Sequence, residues 1–192
     1  MMTIHGDLRS GNCLKVKTTA DTLGMPYVWR DVDVLSGGAR TPQMLALNPA
    51  GQIPVVSWDD GRVLAQSNAI IRYLAAGTDL LPVEPFAQAR VDAWLFWEQY
   101  SHEPYVAVAR FEVVYRGLAP GELEARLVTR ANAALAHLDA ALSTADWLAN
   151  DAPSVADIAC AAYSRLAPEA GLDLEPLPHL RSWLARCDAR FA

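Results

Sequence analysis

The chain has 192 residues, 52% of them hydrophobic and 20% charged, a profile that excludes a disordered chain and allows one large domain or two smaller ones. Its 16 basic and 22 acidic residues give a net charge of -6 with no Lys/Arg block. That balance argues against nucleic acid as a partner, because phosphate binding draws on clustered positive charge. It leaves room for an anionic small ligand held by local charge and backbone N–H groups.

Residues 2–5 read as a first strand and 27–34 as a second. Between them, 12–23 places Val16, Ala20 and Leu23 at helical spacing, and Gly24 with Pro26 stops that helix. A strand, a helix and a parallel strand make a βαβ unit, which closes right-handed. Residues 54–58 and 62–65 flank Asp59-Asp60-Gly61, a hairpin signal because Gly accepts the positive φ of a tight turn. Residues 67–75 then read as a helix with Ile70, Ile71 and Leu74 on one side. The order is that of a thioredoxin-like βαβ-ββα domain.

Residues 77–85 hold a Gly, two Pro and two acidic residues and read as a linker. Strand signals end there. Val91, Trp94, Leu95, Glu98 and Tyr100 open a long helix that Pro104 should kink. Residues 122–142 form an alanine-rich helix with Leu127, Leu135, Leu138 and Leu142 on its apolar side, and 153–167 and 180–191 supply two more. The expected fold class is therefore α+β, with domains at 1–77 and 86–192, the second all-helical. Residues 1–7 are too short and polar for a signal peptide, and no apolar run approaches the roughly 20 residues of a membrane span.

Three segments bear chemistry. The first, Asp7-Leu8-Arg9-Ser10-Gly11-Asn12-Cys13, turns the first strand into the first helix, where N–H groups and the helix dipole favour a thiolate. The second, Asn48-Pro49-Ala50-Gly51-Gln52-Ile53-Pro54, enters a strand through a proline. A cis Ile53-Pro54 bond there would turn the main chain of Ile53 outward to pair with an extended peptide, against the alternative of a plain structural X-Pro. In the third, Gln66-Ser67-Asn68-Ala69-Ile70, Ser67 reads as an N-cap whose helix start suits a carboxylate, or as a cap and nothing more. Cys13, Cys160 and Cys187 have neither metal spacing nor a Cys-x-x-Cys pair, so no metal is expected. Cys13 reads as a buried structural thiol, with a low-pKa redox thiol as the rival. His102 reads as a surface or interface histidine rather than a general base.

These three segments, with the Ser-x-x-Asp capping box at Ser154 and Asp157, resemble the bacterial cytosolic glutathione S-transferases in order and spacing over nearly the whole chain. The resemblance implies a glutathione transferase fold with glutathione as co-substrate. Ser10 would hydrogen-bond the glutathione sulfur, with Asn12 close by. Ile53, held by a cis Pro54, would pair with the cysteinyl part. Gln66 and Ser67 would hold the γ-glutamyl end, and Gln52, with Arg40 as a second candidate, would lie near the glycyl carboxylate. Gln52 stands where many relatives carry Lys, and Gln66 where many carry Glu.

The implied reaction is attack of the glutathione thiolate on a small hydrophobic electrophile, a detoxification chemistry, in a cytoplasmic homodimer that binds neither nucleic acid nor membrane. The electrophile would meet the Leu8-Arg9 turn and the helix around Tyr105, Val108 and Arg110. The alternatives are a glutathione-dependent disulfide reductase or peroxidase, and a non-catalytic binding module that keeps the fold.

Overall fold

The computed structural model describes residues 1–191; Ala192, the last residue of the expected second domain, lies outside them. Met1–Ala76 and Gly77–Arg190 form two compact units. The first is a four-stranded mixed sheet with helices. Its strands are β1 (Met2–Gly6), β2 (Tyr27–Asp31), β3 (Val55–Trp58) and β4 (Val63–Ala65), in the order β2-β1-β3-β4. β1 and β2 are parallel, joined by α1 (Gly11–Thr22), while β3 pairs antiparallel with both β1 and β4. α2 (Pro42–Leu47) precedes β3, and α3 (Ser67–Leu74) follows β4. The thioredoxin-like order read from the sequence is thus the observed one.

Local chemistry sets the boundaries. Val16 and Ala20 of α1 are fully buried, and the helix gives way to Gly24 at φ +62, a conformation that suits a residue without Cβ. β2 is shorter than the expected 27–34. Asp33 turns the chain after Asp31 by accepting the N–H groups of Leu35 and Ser36 on its carboxylate, an Asx-type turn that competes with the ladder. The hairpin closes as expected, with Gly61 at φ +86 and the Trp58 N–H donating to the Arg62 carbonyl at 2.9 Å. β3 begins at Val55 because Pro54 has no N–H to give.

Among the described residues the second unit contains helices and no strands. α4 (Pro85–Trp97) is capped by the Glu84 carboxylate, which accepts from the N–H of Phe86 at 2.9 Å and Ala87 at 2.7 Å. The expected kink is a full π-helical turn, Glu98–His102, ahead of α5 (Glu103–Val114). Pro104, in the first turn of α5, cannot supply the N–H that a continuous helix would need. α6 (Ala125–Leu142) starts three residues later than expected. Glu122 sits instead in a 3-10 turn and takes the Ala119 N–H at 2.8 Å. α7 (Val155–Ser164) and α8 (Pro178–Arg190) complete the unit. No helix of the described residues is long and apolar enough to cross a membrane.

The capping box at the start of α7 is a hub. Asp157 is fully buried and accepts from the N–H of Ser154 at 2.9 Å and its hydroxyl at 3.1 Å, the N–H of Leu148 at 3.0 Å and the indole N–H of Trp183 at 3.0 Å. One carboxylate therefore ties the loop before α7, its first turn and α8 together.

Candidate functional site

The strand register brings the three sequence segments to one edge of the sheet. His5 of β1 pairs with Val55 of β3, and Val55 with Ala65 of β4. One step past this row, each strand connects to a segment singled out in the sequence. β1 leads into the Asp7–Ser10 turn, Ile53-Pro54 leads into β3, and β4 leads into Gln66-Ser67. Because the register is fixed by the buried faces of β1 and β3, segments distant in sequence become neighbours.

Ser10 is the N-cap of α1, and its Oγ accepts from the Cys13 N–H at 3.4 Å. The neighbouring turn is braced by Asp7, only 7% exposed, which takes the main-chain N–H of Arg9 and, on both carboxylate oxygens, its guanidinium. Cys13, fully buried, lies against Gly6, so close that a Cβ on that glycine would meet its Sγ at 3.0 Å. Burial pushes the Cys13 thiol up to about 11, against the opposing hydrogen bonds of the Asp7 main chain and the Ser10 hydroxyl. A thiol so raised is nearly all protonated at neutral pH. Native protein should therefore react with iodoacetamide at Cys13 far more slowly than a free thiol, as peptide mapping after a pH 7.5 pulse will show; rapid labelling would contradict the buried placement.

The Ile53-Pro54 bond is cis, and among the described residues the N–H and C=O of Ile53 form no hydrogen bond within the protein. The loop before it is held by Asn48, 8% exposed. Its Nδ2 donates to the Gln52 carbonyl at 2.9 Å and its Oδ1 accepts from the Ala50 N–H at 3.2 Å. Gly51, at φ +62, leaves room for the stem of Arg40, whose Cγ would lie 3.3 Å from a Cβ placed there. The side chains of both Gln52 and Arg40 are exposed. Asn48→Ala frees both loop anchors and is expected to cost about 1–3 kcal/mol in urea denaturation; a loss under about 0.5 kcal/mol would show that the loop holds itself.

Ser67 does not cap α3. The N-cap position belongs to Gln66, which makes no side-chain cap bond and is held at φ +72, ψ +109. Gln66 is the only non-glycine residue with positive φ among the described residues, a conformation costing on the order of 1–3 kcal/mol. Freed from capping, Ser67 is 6% exposed and donates its hydroxyl to Asn12 Oδ1 at 3.1 Å, tying the start of α3 to the first turn of α1. Beside this bond the fully buried Lys15 donates Nζ to Asn68 Oδ1 at 3.3 Å. Sequence reasoning named neither Lys15 nor Asn68 as a site residue. The available signal was spacing, since Lys15 lies three residues past Asn12 and so shares its helix face.

In the second unit Arg110 is nearly buried, its guanidinium paired with Glu169 at 2.7 Å. His102 is fully buried, not at a surface; its Nε2 lies 3.0 Å from Ser164 Oγ, which donates to the Cys160 carbonyl. The reason is the π turn, which points residue 102 into the helical core.

Residues 9–76 match the family described as Glutathione S-transferase, N-terminal domain, and residues 97–190 match Glutathione S-transferase, C-terminal domain. The chain is 32% identical to Glutathione S-transferase 3 of Zea mays, covering 98% of this chain and 90% of the relative. It superposes on the crystal structure of a glutathione S-transferase from Pseudomonas fluorescens with a TM-score of 0.95 at 43% identity, covering 100% of this chain and 97% of the other. A glutathione transferase from Burkholderia graminis, crystallised with two glutathione molecules bound per subunit, superposes with a TM-score of 0.85 at 25% identity, covering 98% and 83%.

Proposed function

Because the chain belongs to the glutathione S-transferase family, we propose that it binds glutathione along the sheet edge described above and transfers it to a small hydrophobic electrophile. The observation that carries this reading is the register that gathers the Ser10, Ile53 and Gln66-Ser67 segments at one edge, two of them joined by the Ser67–Asn12 bond. The glutathione bound to the relative from Burkholderia graminis supports the choice of ligand.

In this reading the N–H and C=O of Ile53 pair with the cysteinyl residue as a short added strand. Pro54 fixes the direction of that main chain. Ser67, with Gln66 and Asn12, receives the γ-glutamyl carboxylate at the start of α3. Gln52 faces the glycyl end. Ser10 donates its hydroxyl proton to the sulfur, which stabilises the thiolate after its own proton leaves to solvent. The thiolate then attacks an electrophilic carbon; with an aryl halide the C–S bond forms and halide departs.

The raised thiol of Cys13 counts against a disulfide reductase that uses this residue. Residues 1–77 serve as the glutathione domain and 86–192 as the helical domain, with 77–85 between them. The reading includes a cytoplasmic homodimer engaged in detoxification. Phe86, Phe96 and Tyr100, exposed by 73%, 75% and 84% around α4 and the π turn, support self-association because water-exposed aromatic surface gains by burial. The test is steady-state turnover with glutathione and either an aryl halide or a small disulfide. Turnover of the aryl halide is the expected result. Turnover of the disulfide alone would replace the transferase reading with a redox one.

A further inference from the structure

Ser10 does not hold its place alone. The turn that carries it is built by Asp7, which the proposed reaction does not use. The Asp7 carbonyl accepts the Ser10 N–H at 2.9 Å, and its buried carboxylate accepts the Arg9 main-chain N–H at 2.9 Å. The Arg9 guanidinium grips both oxygens of that carboxylate, Nε donating to Oδ1 at 3.1 Å and Nη2 to Oδ2 at 2.8 Å. Such a fork suits Arg and not Lys. Arg9 is therefore tied down by main chain and side chain together, one residue before Ser10.

A buried carboxylate near a thiolate is unfavourable, because a like charge raises a thiol's pKa. The sulfur already in this turn feels that field. Burial is the main cause of the raised Cys13 thiol, the Asp7 carbonyl and Ser10 hydroxyl oppose it by hydrogen bonding, and the Asp7 charge adds to it. The Asp7 field thus reaches a sulfur that shares the Ser10 hydroxyl. The other charges on the adjoining elements are engaged elsewhere or lie outside the turn. On α1, Lys15 donates to Asn68 and Lys17 to Asp21. On β2, Arg30 stands opposite His5 of β1, and Asp31 accepts the Trp29 indole N–H. Asp33, in the loop after β2, lies 3.9 Å from Arg9 Nη2. Arg9 is the cation set against both Asp7 and Asp33.

Resting on the reading above, we propose that Arg9 is a positioning residue for the glutathione sulfur. Its guanidinium cancels the Asp7 carboxylate and fixes the turn that carries Ser10, so that the thiolate does not form beside an unpaired anion. Arg9 acts through Asp7 and touches no reacting atom. Its loss leaves the Asp7 charge opposing the thiolate, which raises the thiol's pKa and shrinks the reactive fraction at neutral pH.

The test is a pH titration of thiolate ultraviolet absorbance in the glutathione complex of the full chain, with the free protein subtracted and no electrophile present. Arg9→Gln should raise the pKa of the bound thiol by about one unit, the scale of a single unpaired charge at the effective dielectric of a protein site. Asp7→Asn combined with Arg9→Gln removes both charges and should return the pKa to within about 0.3 unit of wild type. Arg9→Lys keeps the charge without the fork and should recover at least half of the Arg9→Gln shift. An Arg9→Gln complex within about 0.3 unit of wild type overturns the proposal. So does a double variant that stays as high as Arg9→Gln, since turn geometry alone would then account for the shift. If the double variant loses its circular dichroism spectrum, Arg9→Lys decides, and recovery of less than half the shift overturns the proposal. These outcomes leave the transferase reading intact. A wild-type complex whose thiol titrates like free glutathione overturns both.

Discussion

Ser10→Ala is expected to lower kcat/KM for glutathione conjugation by about ten- to a hundredfold near pH 7, with the pH–rate profile moved up by about one to two units. A hydrogen bond to a charged partner contributes about 1.5–3 kcal/mol, and each thiol pKa unit is about 1.4 kcal/mol. The sign follows from the ionisation. A hydroxyl that stabilises the thiolate lowers the thiol's pKa, so its loss reduces the reactive fraction below that pKa and matters little well above it. The rate deficit should therefore shrink as pH rises toward 10.

Ser10 also caps α1 through the Cys13 N–H, so the alanine variant should lose about 0.5–2 kcal/mol of stability as well. Two controls separate these effects. Ser10→Gly retains much of the cap preference but no hydroxyl, whereas Ser10→Thr keeps both. Turnover that follows the hydroxyl assigns the rate to chemistry. Turnover that follows stability removes Ser10 from the mechanism.

Asp157→Ala is expected to destabilise the fold by about 3–5 kcal/mol, because each buried donor left without its acceptor costs about 1–3 kcal/mol. Its carboxylate accepts from Ser154, Leu148 and Trp183, and both it and Trp183 are fully buried. Removing it strands these donors without access to water. For a chain of this size the loss corresponds to a Tm lower by roughly 6–20 °C. Asp157→Asn keeps one acceptor oxygen and should fall between wild type and alanine. A drop of less than about 2 °C for alanine would mean that water or another acceptor takes the carboxylate's place.

The sequence revealed most where a local pattern has one physical solution. Asp59-Asp60-Gly61 between two apolar runs admits a hairpin, and Ser154 with Asp157 admits a capping box. The structure contains both. Pro104 announced a break, yet nothing local specifies five residues of π helix, since that turn depends on how Glu98 and His102 enter the core. β2 stopped early because the Asp33 side chain outbid the ladder, a competition that strand propensity does not include.

At the candidate site, the order of segments was legible and their meeting was not. That meeting depends on the His5–Val55–Ala65 row, which is long-range pairing. The positive φ of Gln66 was hidden because the position lacks the glycine that would signal it. Ser67 looked like a cap because Ser at a strand–helix junction usually is one. Displaced by one position, it is released to bond Asn12. Lys15 was invisible for a related reason, as a lysine on a helix is expected in solvent and here is fully buried beside Asn68.

The central claim is that this sheet edge is a glutathione site, and calorimetric titration of the wild-type chain with glutathione tests it most directly. The account predicts saturable binding with one glutathione per chain at this edge, weakened about tenfold in Ser67→Ala by loss of a hydrogen bond to a charged group. Absence of binding at millimolar glutathione, in protein whose circular dichroism shows it folded, would contradict the account.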